Sequence, residues 1–230
     1  ELDCTDAPST SVVEPDLDQG AQFFILVDAD AANDVAVQVT EDPITTLADG
    51  AACDPASTTS LCARTSACFD ADGDGPGGSA CTLLENGGET CADATVLPAT
   101  GTQQLGQTTG LSNDDDFGEF DDDCTGFSTA GPDGVFALAV PAGQTLTATA
   151  TPVSLVAGED SDFDVALYVP TTCPMTDDAQ CLAGADVGFG GQPETLSFHN
   201  ASADPETVFL VVDSFSSFTS GVYTLDWNVQ

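Results

Sequence analysis

Residues 134–229 are written in short runs in which apolar and polar residues alternate, separated by turn-rich loops. Successive side chains of a strand point to opposite faces, so this period of two argues for half-buried strands. Phe136, Leu138 and Val140 share one face of the first run, with Val135, Ala137 and Ala139 on the other. Leu146, Ala148 and Ala150 form a second inward set, and Val165, Leu167 and Val169 a third. Leu196 and Phe198 follow, and Tyr223, Leu225, Trp227 and Val229 close the series. Residues 208–212 are apolar throughout, the pattern of a central strand covered on both faces. With a weaker strand near residues 104–109, about seven or eight strands are predicted, enough for a two-sheet β-sandwich.

Upstream the writing changes twice. Residues 1–48 read as a small module: a polar segment whose one apolar pair is Val12 and Val13, then Phe23-Phe24-Ile25-Leu26-Val27, a turn region, and Val35-Ala36-Val37-Gln38-Val39. Two strands alone are marginal in water, so this hairpin must lean on the sandwich or on another molecule. Residues 49–90 are a connector rich in Gly, Ala, Ser and Asp, with Cys53, Cys62, Cys68 and Cys81. So little large apolar surface makes no core, and two internal bridges are expected to hold it, at about 2–4 kcal/mol each. Their pairing is open. The sandwich occupies residues 91–230.

Charge narrows the partners. The chain has 39 acidic residues against the single Arg64 and no lysine, a formal net charge of −38. Nucleic acid and anionic membranes are excluded, since no cationic surface is present to meet phosphate. Self-repulsion of this size is relieved by salt or divalent cations, which fits an external medium. Nine cysteines point the same way, to an oxidising compartment. No apolar run reaches the roughly 18 residues that span a bilayer. Glu1 follows no basic leader, so it is expected to be a mature N-terminus of a secreted or cell-surface protein.

A family resemblance covers roughly residues 90–230. Gly131-Pro132-Asp133-Gly134-Val135-Phe136 is followed by Pro141-Ala142-Gly143-Gln144-Thr145-Leu146, then Phe163-Asp164-Val165-Ala166-Leu167-Tyr168-Val169. The closing motifs are Val208-Phe209-Leu210-Val211-Val212-Asp213 and Ser220-Gly221-Val222-Tyr223-Thr224-Leu225. In this order they resemble the bacterial pre-peptidase C-terminal domain. The resemblance implies a secreted, non-catalytic jelly-roll sandwich of a kind often appended to hydrolases, some members of which bind calcium. Cys91, Cys124, Cys173 and Cys181 sit where the cysteine-bearing version of the domain carries them, which implies bridges Cys91–Cys124 and Cys173–Cys181. Upstream there is a shorter echo. Cys4-Thr5-Asp6-Ala7 parallels Cys91-Ala92-Asp93-Ala94, and the hairpin strands parallel those around Phe136 and Leu146. The N-terminal module then reads as a truncated copy with open edges, unless the echo is chance similarity of short β-rich strings.

The leading cofactor candidate is calcium. Asp70-Ala71-Asp72-Gly73-Asp74-Gly75 matches the start of a calcium loop, with carboxylates Asp70, Asp72 and Asp74 at positions 1, 3 and 5 and glycine at 6. Cys81 stands where the closing bidentate glutamate belongs, so Glu85 would have to substitute; the alternative is a solvated acidic turn. The triplets at 114–116 and 121–123 read as solvated loop or calcium capture. Asp160, Asp162 and Asp164 lead into a strand, where Asp164 either joins a site or faces solvent. His199 shares a face with Thr195 and Ser197 and is expected to be exposed. General-base, nucleophile–base and zinc arrangements lack their parts. Carboxylates suffice by count for a glycosidase, but Trp227 and both tyrosines fall within strand runs instead of lining a cleft. Asn200-Ala201-Ser202 is a glycosylation sequon.

Two functions remain. In the first, a non-catalytic subunit self-assembles into an extracellular filament by strand complementation through the N-terminal segment, with Cys4, Val12, Val13, Phe23, Phe24, Ile25, Leu26 and Val27 at the subunit contact. Four internal bridges would leave Cys4 as the odd cysteine, suited to an intermolecular bond. In the second, the chain is an accessory module that binds polysaccharide or a protein.

Overall fold

Nested strand pairing organises the molecule. The computed structural model describes residues 44–55, 57, 59–63, 65–70, 78–99, 104–113, 124–126, 129–154, 161–175, 180–216 and 219–230. The chain divides into two units, Glu1–Glu41 and Asp42–Gln230, and all described residues lie in the second. The hairpin expected within residues 1–48, with Cys4, Val12, Val13 and Phe23 to Val27, lies outside them.

The cysteine-rich part carries four short strands: β1 (Thr45–Leu47), β2 (Ser60–Cys62), β3 (Ser66–Phe69) and β4 (Ala80–Leu83). The strand β1 pairs parallel with β2, and β3 antiparallel with β4. Residues 45–47, grouped with the N-terminal module on sequence, thus pair with the connector. Two bridges, Cys53–Cys68 and Cys62–Cys81, hold these strands where apolar burial is scarce.

The remaining strands are β5 (Thr95–Val96), β6 (Gln104–Gln107), β7 (Gly134–Val140), β8 (Thr145–Val153), β9 (Val165–Pro170), β10 (Cys181–Ala185), β11 (Glu194–His199), β12 (Glu206–Ser214) and β13 (Val222–Val229). The strands β9 and β10 form a hairpin, and outside it β8 pairs with β11, β7 with β12 and β6 with β13, all antiparallel. Successive pairs alternate between two sheets, of order β10-β9-β12-β7-β5 and β11-β8-β13-β6. A double ribbon wrapped in this way is an eight-strand jelly roll.

The core lies between the sheets and holds each inward set expected from alternation, from Phe136, Leu138 and Val140 to Tyr223, Leu225 and Trp227. The strand β12 is central in its sheet, so residues 208–212 are apolar on both faces for a physical reason. Their outward partners form a second cluster, Val135, Tyr168, Met175 and Val211, packed against Cys91, Cys124, Cys173 and Cys181. Disulfide-anchored segments therefore cover the outer face of the five-stranded sheet. In the other sheet the Tyr223 ring lies over Gly106, directly opposite in β6, where an added Cβ would come within 2.7 Å of the ring. A residue with a side chain has no room there.

Candidate functional site: the acidic end of the sandwich

The register gathers acidic residues that the sequence scatters. Gly134 at the start of β7 pairs with Val212 near the end of β12, and Val165 at the start of β9 pairs with Ser214. Ala185 at the end of β10 pairs with Leu167, Glu194 at the start of β11 with Ala150, and Val222 with both Val153 and Gln107. All these termini lie at one end of the sandwich. Asp133, Asp164 and Asp186 stand one residue outside β7, β9 and β10; Glu194 opens β11, and Asp213 lies next to the end of β12. Two groups result.

The first group is fully buried. Asp133 and Asp213 are both 0 % exposed. Tyr168 Oη donates to Asp213 Oδ2 at 2.7 Å, and the Ser214 N–H donates to Asp213 Oδ1 at 2.6 Å. Burial, and then the neighbouring Asp133, push the Asp213 carboxyl well above the usual carboxylate range despite those hydrogen bonds. The folded state keeps its proton to higher pH than the unfolded chain, so this group favours folding most below the ordinary carboxylate range, and its contribution is lost as pH rises towards the folded value. Asp213→Asn is expected to flatten the fall in urea midpoint between about pH 4 and pH 8. An unchanged slope would mean that Asp213 ionises without resistance.

The second group is Asp164, Asp186 and Glu194. Glu194 is 3 % exposed, and its Oε1 accepts hydrogen bonds from the Val187 N–H at 2.9 Å and from the Gly188 N–H. That places its carboxylate beneath the residues that follow Asp186. Asp186 is 2 % exposed, and its Oδ2 has no hydrogen-bond partner among the described residues. Burial, then Asp164 and Glu194, push the Asp186 carboxyl up to about 7. Burial and Glu194 also raise Asp164. The β10–β11 connection is packed tightly on the segment before β9: the Gly191 N–H donates to Phe163 O at 2.8 Å. Gly191 has φ +80, and a Cβ there would sit 2.1 Å from Ser161 O, so glycine is required on both counts. The Phe215 N–H donates to Asp164 O at 3.1 Å, tying the end of β12 to the same group.

The sites singled out by sequence fall elsewhere. Asp70 is half-buried just after β3, while Asp72 and Asp74 lie outside the described residues. Glu85 is exposed beyond the other end of the β3–β4 pair, because Phe69 opposes Ala80 and Ser66 opposes Leu83. At a strand rise of about 3.3 Å, roughly 15 Å or more separates Glu85 from Asp70. Glu85 is thus not placed to close a loop that begins at Asp70. The sulfurs of Cys53, Cys62 and Cys81 lie within 4.8 Å of one another, but all three are consumed in disulfides.

The pairing of the other four cysteines is a correction: the bridges are Cys91–Cys173 and Cys124–Cys181, not Cys91–Cys124 and Cys173–Cys181. Cys173 and Cys181 flank the turn of the β9–β10 hairpin, which backbone pairing already holds. The segments bearing Cys91 and Cys124 lie over the outer face, and each is tied to the hairpin with Cα separations of 5.8 and 5.6 Å.

His199 is exposed, with Nδ1 3.1 Å from Thr145 Oγ1. Asn200 of the sequon is 1 % exposed, and its Nδ2 donates to Val140 O and Asp204 O. The amide nitrogen a glycan would need is committed to a turn. Asp164 is visible as a candidate in the sequence, whereas Asp186 and Glu194 are not. Each is a lone acid at a strand terminus, indistinguishable in sequence from a solvated one. Among the described residues, no helix is long and apolar enough to cross a membrane. No protein-family model and no curated protein matches the chain.

Proposed function

We propose that the chain is a non-catalytic structural protein, secreted or held at the cell surface, whose copies assemble into a filament by adding N-terminal strands to a neighbour's sheet. The observation that carries this reading is that, among the described residues, the core between the two sheets is built from residues 97–229, while the sequence writes two further strands at residues 23–27 and 35–39. Strands surplus to a finished core need an edge to pair with. Among the sheet edges, β5 has two residues, β6 has four, and β10 carries a register shift between Cys181 and Ala183. Among the described residues the strand β11 is outermost in its sheet and runs six residues in uninterrupted register, which makes it the edge there least protected against an added strand. A head-to-tail contact of this kind does not close and propagates into a fibre. Four disulfides suit the oxidising environment in which such a fibre would work.

Negative-stain microscopy of the full chain should show elongated assemblies. A chain lacking residues 1–41, the whole N-terminal unit with both of those strands, should remain a folded monomer with a cooperative thermal transition. Full-length protein that elutes as a monomer at high concentration would end this reading.

A second reading, an accessory module that binds polysaccharide or protein, draws on the resemblance to the pre-peptidase C-terminal domain. One observation favours it: Val187 and Phe189, on the β10–β11 connection, are 82 % and 77 % exposed. Retention on insoluble polysaccharide that Phe189→Ala abolishes would select this reading over the filament.

A further inference from the structure

Asp186 and Glu194 bound the β10–β11 connection, which is hydrogen-bonded to the segment that carries Asp164 into β9, in a chain with almost nothing of its own to neutralise them. Its only basic side chains are Arg64 and His199, and His199 closes the strand that Glu194 opens. A buried carboxylate oxygen without a partner is costly to keep, and Asp186 Oδ2 is such an atom among the described residues. We propose that these three carboxylates form a calcium site that fastens the β10–β11 connection to the start of β9.

The donor set argues for the ion. Hard carboxylate oxygens on irregular connections suit calcium, which accepts six to eight oxygens in flexible geometry. Magnesium demands a smaller, near-octahedral cage. Glu194 Oε1 is already engaged by the Val187 and Gly188 N–H groups, so its other oxygen faces the ion. The carboxylate oxygens of the three residues do not all lie within 4.8 Å of one another, so one of them reaches calcium through a water, as calcium loops commonly allow. This site is separate from the acidic turn that begins at Asp70, and it does not depend on the filament reading.

The test uses the full chain at pH 8, stripped with EDTA and then titrated with calcium chloride while thermal unfolding is followed. Tm should rise by about 5 °C or more at calcium well above Kd, and by less with magnesium chloride at the same ionic strength. Asp186→Asn removes the buried charge and keeps the shape. It should therefore melt at or above the wild-type value in EDTA and lose the calcium-specific rise. If Asp186→Asn does not fold, Asp164→Asn at the half-buried position is read in the same way. No rise in the wild type overturns the proposal. An equal rise in wild type and variant also overturns it, because the ion then binds elsewhere.

Discussion

Replacing Cys91 and Cys173 together by serine is expected to lower the stability of the sandwich by about 4 kcal/mol, the loop-closure value for a long loop. The two residues are 82 apart in sequence, and the bridge anchors the segment before β5 onto the outer face of the five-stranded sheet. Its loss frees that segment in the unfolded chain and loosens the cover over Val135, Tyr168, Met175 and Val211. Removing Cys124–Cys181, with a separation of 57, should cost nearly as much. Removing Cys53–Cys68, with a separation of 15, should cost about 3 kcal/mol. Urea unfolding of the three double variants without reductant reads the order directly. If the Cys91/Cys173 variant kept the wild-type midpoint, the outer face would be held without its cross-links.

Phe136→Ala is expected to cost about 3–5 kcal/mol, the range for removing a buried aromatic ring. Phe136 is 0 % exposed, lies between the sheets, and sits opposite Leu210 in the paired strand β12. A ring at that position has no solvent to give way to, so its removal leaves a cavity bounded by strands on both sides. Val96→Ala, at an apolar side chain 79 % exposed, should stay within about 0.5 kcal/mol of wild type. Denaturant midpoints of the two variants, read by the same probe, make the comparison. Equal midpoints would remove Phe136 from the core.

Individual strands were legible because alternation is local. In β8, Leu146, Ala148 and Ala150 are buried while Thr145, Thr147 and Thr149 are half-exposed, as a period of two requires. The central position of β12 was legible from an equally local signal, since five consecutive apolar residues need cover on both faces. What covers the second face was not legible. It is supplied by segments bearing Cys91 and Cys124, and their partners depend on where those loops land on the β9–β10 hairpin.

The acidic end shows the same division. Asp70, Asp72 and Asp74 stand out because three carboxylates are close in the chain. The whole β9–β10 hairpin separates Asp164 from Asp186 and Glu194 in sequence, and only nested antiparallel pairing brings their strand ends together. By itself the sequence determined the all-β class, the inward face of each strand, the cysteine-stabilised connector and the lack of cationic surface, because each depends on neighbours along the chain. The tertiary structure alone decided the jelly-roll order, the four disulfide partners and the acidic cluster, because each depends on which strands lie side by side.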